Sequence, residues 1–427
     1  MKFEDFKQYL SPALAKATDL VITKGEGCYL EDVKGEKYLD FVQGIAVNAF
    51  GHSHPKIVKS LQDQAANVIS ASFNLVNYPS TLKYAEELAK NTPGELDVFF
   101  FSNGGSEAND GAIKLARNYT GRPGIISMRG SFHGRSLGAT SITGSNSKYR
   151  KNLEPLIPSI YFTPYPNCFR CPYNTTCETC SLECLRELQW TFDYLIHPEN
   201  VAAVIMEPVM GEGGYVVPPK KYVDELSKLL KKHGILLIFD EIQSGFGRTG
   251  KMFACEHFGI VPDIMTMGKA IAGGLPMSCI ASTKEIMSTW EPGMHGTTFG
   301  GHPVCTSVAL TILELFKEEN ILDNVNEQGA YMKERLMEMK EKYPIIGDVR
   351  GLGLMVAAEF VNPEDNSPSA AHLNAVRDYC FSKNMLTLGC GVYGNGFRFA
   401  TPLNVTREDL DKGLAIFEEA VKAAYEK

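Results

Sequence analysis

The sequence predicts an α/β fold: a large domain on a mostly parallel sheet, joined to a smaller α/β domain. Two patterns predict it. Through the middle of the chain, apolar runs alternate with amphipathic stretches. ELDVFFFSN, RPGIISMRG, VAAVIMEPV and GILLIFDE read as strands, and EANDGAIKLARNYTG and KKYVDELSKLLKKHG read as helices among them. Strand and helix in alternation imply parallel strands with helices on both faces of the sheet. From about Thr311 the pattern changes. Residues 311–343 read as long amphipathic helix with one interruption, followed by a strand pair in DVRGLGLMVAAEF and a final helix from about Arg407. Near the start of the chain, GCYLEDVKGEKYLDFV (27–42) reads as a hairpin turning at Lys34 and Gly35.

At 427 residues the chain is long enough for two or three domains, and 44% hydrophobic with 22% charged residues is a globular composition with material for a large core. A formal net charge of −8 without a long basic run argues against nucleic-acid binding. No run of about eighteen or more apolar residues occurs, so no membrane span is expected. The opening MKFEDFKQYLSPALAKATD carries acids and lacks the apolar core of a signal peptide, so a cytoplasmic enzyme is expected. Five of the 11 cysteines crowd into CFRCPYNTTCETCSLEC: Cys168, Cys171, Cys177, Cys180 and Cys184. Paired C-x-x-C spacings suit a zinc or iron–sulfur knuckle, but a disulfide-bearing loop and free thiols in an insertion fit the same spacing. No metal ligand is assigned among the site residues.

The chemistry centres on Lys269, in PDIMTMGKAIAGGLP (262–276), an apolar run that turns glycine-rich just after the lysine. A lysine amine held out of water has a lowered pKa and becomes nucleophilic. Upstream, HGILLIFDEIQSGFGRTG (233–250) opens with an apolar run ending on Asp240. An aspartate at the end of a buried strand can partner a protonated pyridine nitrogen. A lysine imine together with that aspartate is the electronic requirement of pyridoxal phosphate chemistry. Alone, each residue has a plainer reading, as surface lysine and as helix cap.

DEIQSGFGRTG (240–250), PDIMTMGKAIAGGLP and TTFGGHP (297–303) together resemble the class III, fold-type I pyridoxal-phosphate aminotransferases, the 4-aminobutyrate and acetylornithine aminotransferase group. The resemblance runs from about residue 25 to 403. It implies a seven-stranded type of sheet in a large domain over residues 61–315. It further implies a small domain over 316–427 that residues 1–60 join. The implied cofactor is pyridoxal 5′-phosphate, held by Lys269 as a Schiff base, with Asp240 at the pyridine nitrogen and Gln243 at the ring's phenolic oxygen. Gly105 and Ser106, in SNGGSEAND (102–110), match the phosphate cup. The free N–H groups of a helix start suit that role, although Gly-Gly-Ser is also an ordinary turn and cap, and Glu107 an ordinary first-turn acid. Some relatives carry a cluster-binding C-x-x-C in this region; SNGGSEAND has no cysteine. Phe132 matches the residue stacked on the cofactor ring, His133 takes a supporting role, and Glu207 orients substrate or supports the ring.

For substrate, Arg135 matches an arginine that grips a carboxylate with its planar fork. Glu212 and Arg398 match a gating pair: Glu212 covers Arg398 for donors without an α-carboxylate and swings away when glutamate or 2-oxoglutarate enters. Ile45 matches a position lining the donor pocket. Met210 departs from the glutamine common there. Thr298 matches a threonine that reaches the phosphate of a neighbouring subunit, which implies a homodimer or dimer of dimers with shared active sites. The expected reaction moves the amino group of an ω-amino acid, of 4-aminobutyrate or 5-aminovalerate type, to 2-oxoglutarate, giving a semialdehyde and glutamate. Acetylornithine or ornithine as donor stands beside it. So does racemisation or epimerisation by the same cofactor, since lysine, aspartate and phosphate cup serve both. A non-enzymatic reading, a metal-binding protein using the cysteine cluster, requires that the catalytic set be idle.

Overall fold

The computed structural model describes residues 2–426. Three short strands come first: β1 (Ile22–Glu26), β2 (Tyr29–Asp32) and β3 (Lys37–Asp40), joined as an antiparallel ribbon. The β2–β3 turn closes on Asp32, whose Oδ1 accepts the N–H groups of Lys34 (2.8 Å) and Glu36 (3.0 Å). Gly35 supplies a left-handed φ of 82° at that turn, which side chains with a Cβ adopt at a cost.

The central sheet has seven strands: β4 (Val98–Ser102), β5 (Gly124–Arg129), β6 (Ile160–Pro164), β7 (Val201–Met206), β8 (Leu236–Asp240), β9 (Ile264–Met267) and β10 (Ser278–Ser282), in the spatial order β4-β10-β9-β8-β7-β5-β6. Pairs from β6 through β9 are parallel, and β10 runs against both its neighbours. Every residue of β7, β8, β9 and β10 is buried. That is why they read as unbroken apolar runs: strands covered on both faces have no polar side to alternate. The helix Gly105–Thr120 crosses the sheet against β7, β9 and β10 and ends at Gly121, left-handed at φ 67°. Ser102, Glu207, Asp240 and Lys269 all follow or end strands on one edge of this sheet, its carboxyl edge, where open α/β sheets bind ligands.

The long helix read over 311–343 is two helices. Pro303–Glu318 starts earlier, with proline at its first turn where no N–H is needed, and the break falls at Asn320, left-handed at φ 48°. Ile321–Lys342 follows. Then come β11 (Ile346–Leu352), β12 (Met355–Phe360), β13 (Met385–Leu386), β14 (Leu388–Cys390) and β15 (Gly396–Phe399). Four of them form an antiparallel sheet ordered β11-β12-β15-β14. The fifth, β13, pairs in parallel with β3, Met385 opposite Leu39, so the two ends of the chain share a sheet. The last helix, Arg407–Tyr425, is capped by Thr406, whose Oγ1 accepts the Asp409 N–H at 3.1 Å. Among the described residues, no helix is long and apolar enough to cross a membrane.

In the cysteine-rich segment Cys168 and Cys177 form a disulfide, with Cα atoms 5.9 Å apart, while Cys171, Cys180 and Cys184 are free thiols. The segment therefore combines the disulfide and free-thiol readings. Among the described residues, no cluster of three or more His, Cys, Asp or Glu side chains is arranged to hold a metal.

Where the final helix crosses the N-terminal ribbon, Gly413 faces the fully buried Phe41 ring: a Cβ there would lie 2.2 Å from Phe41 Cε2. Gly413→Ala is expected to overpack this contact at a cost of about 1–3 kcal/mol, against which alanine's helix preference offsets about 1 kcal/mol. The check is the urea midpoint; a variant as stable as the parent would contradict the contact.

Candidate active site

Beyond the carboxyl ends of the central strands lies a cavity of about 370 Å³, with Ser106, Phe132, Glu207, Asp240, Gln243 and Lys269 among its lining. Asp240, the last residue of β8, is 4% exposed. Its carboxylate accepts three bonds: His133 Nδ1 at 2.7 Å and Asn109 Nδ2 at 2.8 Å on Oδ2, and the Ile242 N–H at 3.0 Å on Oδ1. Such donors fix the carboxylate in place. Thr266 Oγ1 donates to Asn109 Oδ1 at 2.9 Å, so the Asn109 amide must present its N–H₂ to Asp240 and to the His133 carbonyl. His133 Nε2 is left buried without a partner.

Glu207 follows β7 and accepts the Phe132 N–H on Oε1 (2.9 Å) and the Gly211 N–H on Oε2 (2.8 Å). Burial raises its pKa, with Asp240 adding to the rise and His133 opposing it. Lys269 opens a short 3₁₀ turn after β9 with a left-handed φ of 46°, uncommon for a residue with a Cβ and a conformation found repeatedly at functional sites. Burial lowers the pKa of its amine well below the ordinary 10.5, and the negative Asp240 and Glu207 reverse only part of that. A buried base is thus held beside buried acids.

Gly105 and Ser106 begin the helix Gly105–Thr120, whose first-turn N–H groups have no carbonyl one turn back. The backbone here is close-fitted: a Cβ on Gly105 would sit 2.7 Å from the Ile242 side chain, and one on Gly134 2.3 Å from Ser106 Oγ. Ser106 Oγ is 2.7 Å from Ser136 Oγ and accepts the N–H groups of Arg135 (3.0 Å) and Ser136 (2.8 Å), which ties the 131–138 loop to the helix start. Glu107 Oε2 reaches back to the N–H (3.0 Å) and side-chain amide (2.9 Å) of Asn103. That is the first-turn structural role open to it. Gln243 contributes a buried Nε2 without a partner.

Of the substrate-side residues, Glu212, Arg398, Ile45 and Thr298 all lie outside the lining of this cavity. Glu212 does not pair with Arg398. It accepts the Tyr149 hydroxyl on Oε1 at 2.6 Å, while Arg398, on β15 and 7% exposed, has its Nε buried and unpartnered. Ile45 does not line the cavity. Residues 43–46 all have left-handed φ values, which turns Ile45 outward to 46% exposure, and Val47 lines the cavity in its stead. Thr298 is exposed on the loop before the helix Pro303–Glu318 and lies outside the cavity of its own chain; its carbonyl accepts the Ser72 hydroxyl at 3.4 Å. Arg135 is exposed, with its guanidinium over the rings of Tyr149 (4.7 Å) and Phe132 (5.6 Å). Asn109, Ile242 and Tyr149 were absent from the residues singled out in the sequence. Asn109 had one available signal, a short amide in mid-helix where it is unfavourable without a specific partner.

The class-III aminotransferase sequence pattern matches residues 11–421, and the chain belongs to that family. It is 36% identical over 97% of its length to a probable 4-aminobutyrate aminotransferase of Bacillus subtilis (96% of that protein). It is 38% identical over 94% of its length to a leucine/methionine racemase of Thermococcus litoralis (90% of that protein). Among solved structures, a thermostable (S)-enantioselective omega-transaminase from Thermomicrobium roseum superposes with a TM-score of 0.90 at 33% identity, covering 99% of this chain and 96% of the other. Pyridoxal 5′-phosphate is the cofactor of the class. The residues present fit it: a lysine with a lowered pKa, a carboxylate fixed by three donors, a glycine-lined helix start, and an unpartnered buried amide at Gln243 converge on one cavity.

Asn109→Ala removes one of the three donors on the buried Asp240 carboxylate and leaves the Thr266 hydroxyl without its acceptor. The expected cost is about 1–3 kcal/mol, read as a lower unfolding midpoint of the cofactor-free protein. A midpoint equal to the parent's would mean that the amide does not support the carboxylate.

Proposed function

We propose that the protein is a homodimeric, or dimer-of-dimers, aminotransferase that moves the amino group of a short linear ω-amino acid to 2-oxoglutarate. The observation carrying this reading is a pair of arginines beside the cavity lining: Arg135 lies over the ring of the lining residue Phe132, and Arg398 is near enough to the lining residue Lys269 to act on its charge. Arg135 is free of any acid partner and Arg398 has an unpartnered buried Nε, so carboxylates at either end of a dicarboxylate have a cation to meet. The resemblance to a probable 4-aminobutyrate aminotransferase supports the same substrate class.

When bound, pyridoxal phosphate supplies an electron sink for negative charge developing on the substrate carbon. The chain's residues do the rest. Asp240, fixed by its three donors, would be the partner for a protonated pyridine nitrogen. The helix start at Gly105 and Ser106 would hold the phosphate, Phe132 would cover the ring, and the unpartnered Gln243 amide would be a donor to it. His133 buttresses Asp240, and Glu207 buttresses the backbone at Phe132 and Gly211. Lys269 first holds the cofactor through Nζ. With its Nζ free, Lys269 would be the group placed to take a proton from a substrate carbon and to return it, as base and then acid. Thr298, exposed and outside its own cavity, is assigned to the phosphate of the neighbouring subunit.

A second reading has its own support, the 38% identity to a racemase. One spectral experiment separates the two. 4-Aminobutyrate or 5-aminovalerate alone should bleach the cofactor's visible band, and 2-oxoglutarate should restore it with formation of glutamate. Lys269→Ala should lose at least about 10²-fold in turnover. Inversion of an L-amino acid without any keto acid, and no response to ω-amino acids, would assign the racemase activity instead.

The lowered pKa of Lys269 has a consequence for pH. The neutral amine is the form that attacks the aldehyde, so cofactor uptake by the apoprotein should quicken as pH rises and level off above the Lys269 pKa. Because burial depresses that pKa, the midpoint should fall clearly below 10.5. A midpoint at 10.5 would place the amine in water.

A further inference from the structure

We infer that Tyr149 is a specificity-setting positioning residue: its hydroxyl holds Glu212 off Arg398 and so keeps the α-carboxylate site open. The inference rests on the two-arginine reading of the cavity.

Glu212 and Arg398 share a neighbourhood. The Glu212 carbonyl accepts the Gly391 N–H at 2.8 Å, at the tip of the hairpin formed by β14 and β15, and Arg398 stands on β15 opposite Leu388. The buried Cys390 thiol feels both charges, Arg398 lowering its pKa and Glu212 raising it. Both charges also act on the buried Lys269 amine, where burial is the larger influence, and a carboxylate able to reach a buried guanidinium ordinarily pairs with it, because an uncompensated buried charge is costly. In this structure Glu212 instead accepts from Tyr149 at 2.6 Å. Burial, and then Glu212, push the Tyr149 pKa up, which keeps the phenol protonated and able to donate.

Tyr149 is also the platform for the other cation. Its ring lies under the Arg135 guanidinium at 4.7 Å and meets the Phe132 ring edge-on, with centroids 5.7 Å apart and planes at 70°. One side chain therefore touches both ends of the substrate site: its ring steadies Arg135 and its hydroxyl restrains Glu212. Without the hydroxyl, the aromatic platform stays and the restraint goes. Glu212, released from the hydroxyl while Arg135 stays seated on the aromatic platform, turns to Arg398, and Arg398 is closed to carboxylates.

The test is Tyr149→Phe, measured in separate half-reactions of the holoenzyme with glutamate and with 4-aminobutyrate. Half-saturation for glutamate should rise about tenfold relative to that for 4-aminobutyrate, the size expected for one charge-assisted hydrogen bond. The double variant Tyr149→Phe, Glu212→Gln should bring glutamate back toward the parent value, since a neutral amide has no charge to cover Arg398. Equal weakening of both half-reactions, or no rescue by Glu212→Gln, would make Tyr149 merely structural and overturn the inference. If the parent enzyme ignores 4-aminobutyrate, the functional reading fails separately. The glutamate arm with its rescue still decides the role of Tyr149, because it reads α-carboxylate binding alone.

Discussion

The site depends on keeping a negative charge at the end of a buried strand. Asp240 lies in the interior of the protein, where a carboxylate without hydrogen-bond partners is costly. Three donors serve it, and each comes from a different part of the large sheet's surroundings: Asn109 from the crossing helix, His133 from the loop after β5, and the Ile242 N–H from the turn after β8. The neighbouring elements therefore have to be in register for the carboxylate to keep all three partners. The fold places them by stacking the helix Gly105–Thr120 across β7, β9 and β10, which brings Asn109 beneath the same cavity that its own first turn closes.

Around that fixed charge, the same burial acts in opposite senses on its neighbours. It raises Glu207, an acid, toward neutrality and lowers Lys269, a base, toward neutrality. Both effects favour a proton that moves easily at the cavity floor. Burial dominates both shifts: at Lys269 the charges of Asp240 and Glu207 oppose it only in part, and at Glu207 the charge of Asp240 adds to it while His133 opposes it.

Much of the fold was legible because strands buried on both faces are apolar throughout; VAAVIM and LLIFD are the clearest cases. The strands read less readily, IYFTP, IMTM and SCIAS, are short or interrupted by polar residues that find partners in the sheet, as Ser278 does with Ser102 at 2.7 Å. The chemical centre was legible for a related reason. Asp240 and Glu207 are charges at the ends of apolar runs, and Lys269 sits before a glycine-rich turn, all unusual enough to stand out locally. What stayed hidden depends on contacts between distant segments. Tyr149 meets Glu212 across 63 residues, and no spacing rule links a short 3₁₀ turn to a loop after β7. The outward turn of Ile45 was equally hidden, because four consecutive left-handed residues are a backbone event that side-chain pattern does not encode.

The pairing of β3 with β13 has a consequence for how the chain is made. Leu39 finds its partner Met385 only near the far end of the polypeptide, and Phe41 packs on Gly413, later still. During synthesis from the N-terminus, the first ribbon must wait with an open edge and an uncovered aromatic ring until almost the whole chain has emerged. Contacts of such long sequence separation slow folding and leave strand edges available to wrong partners. The charged residues along the waiting ribbon, Lys24, Glu26, Glu31, Lys34 and Lys37, are the kind that discourage edge-to-edge association in that interval.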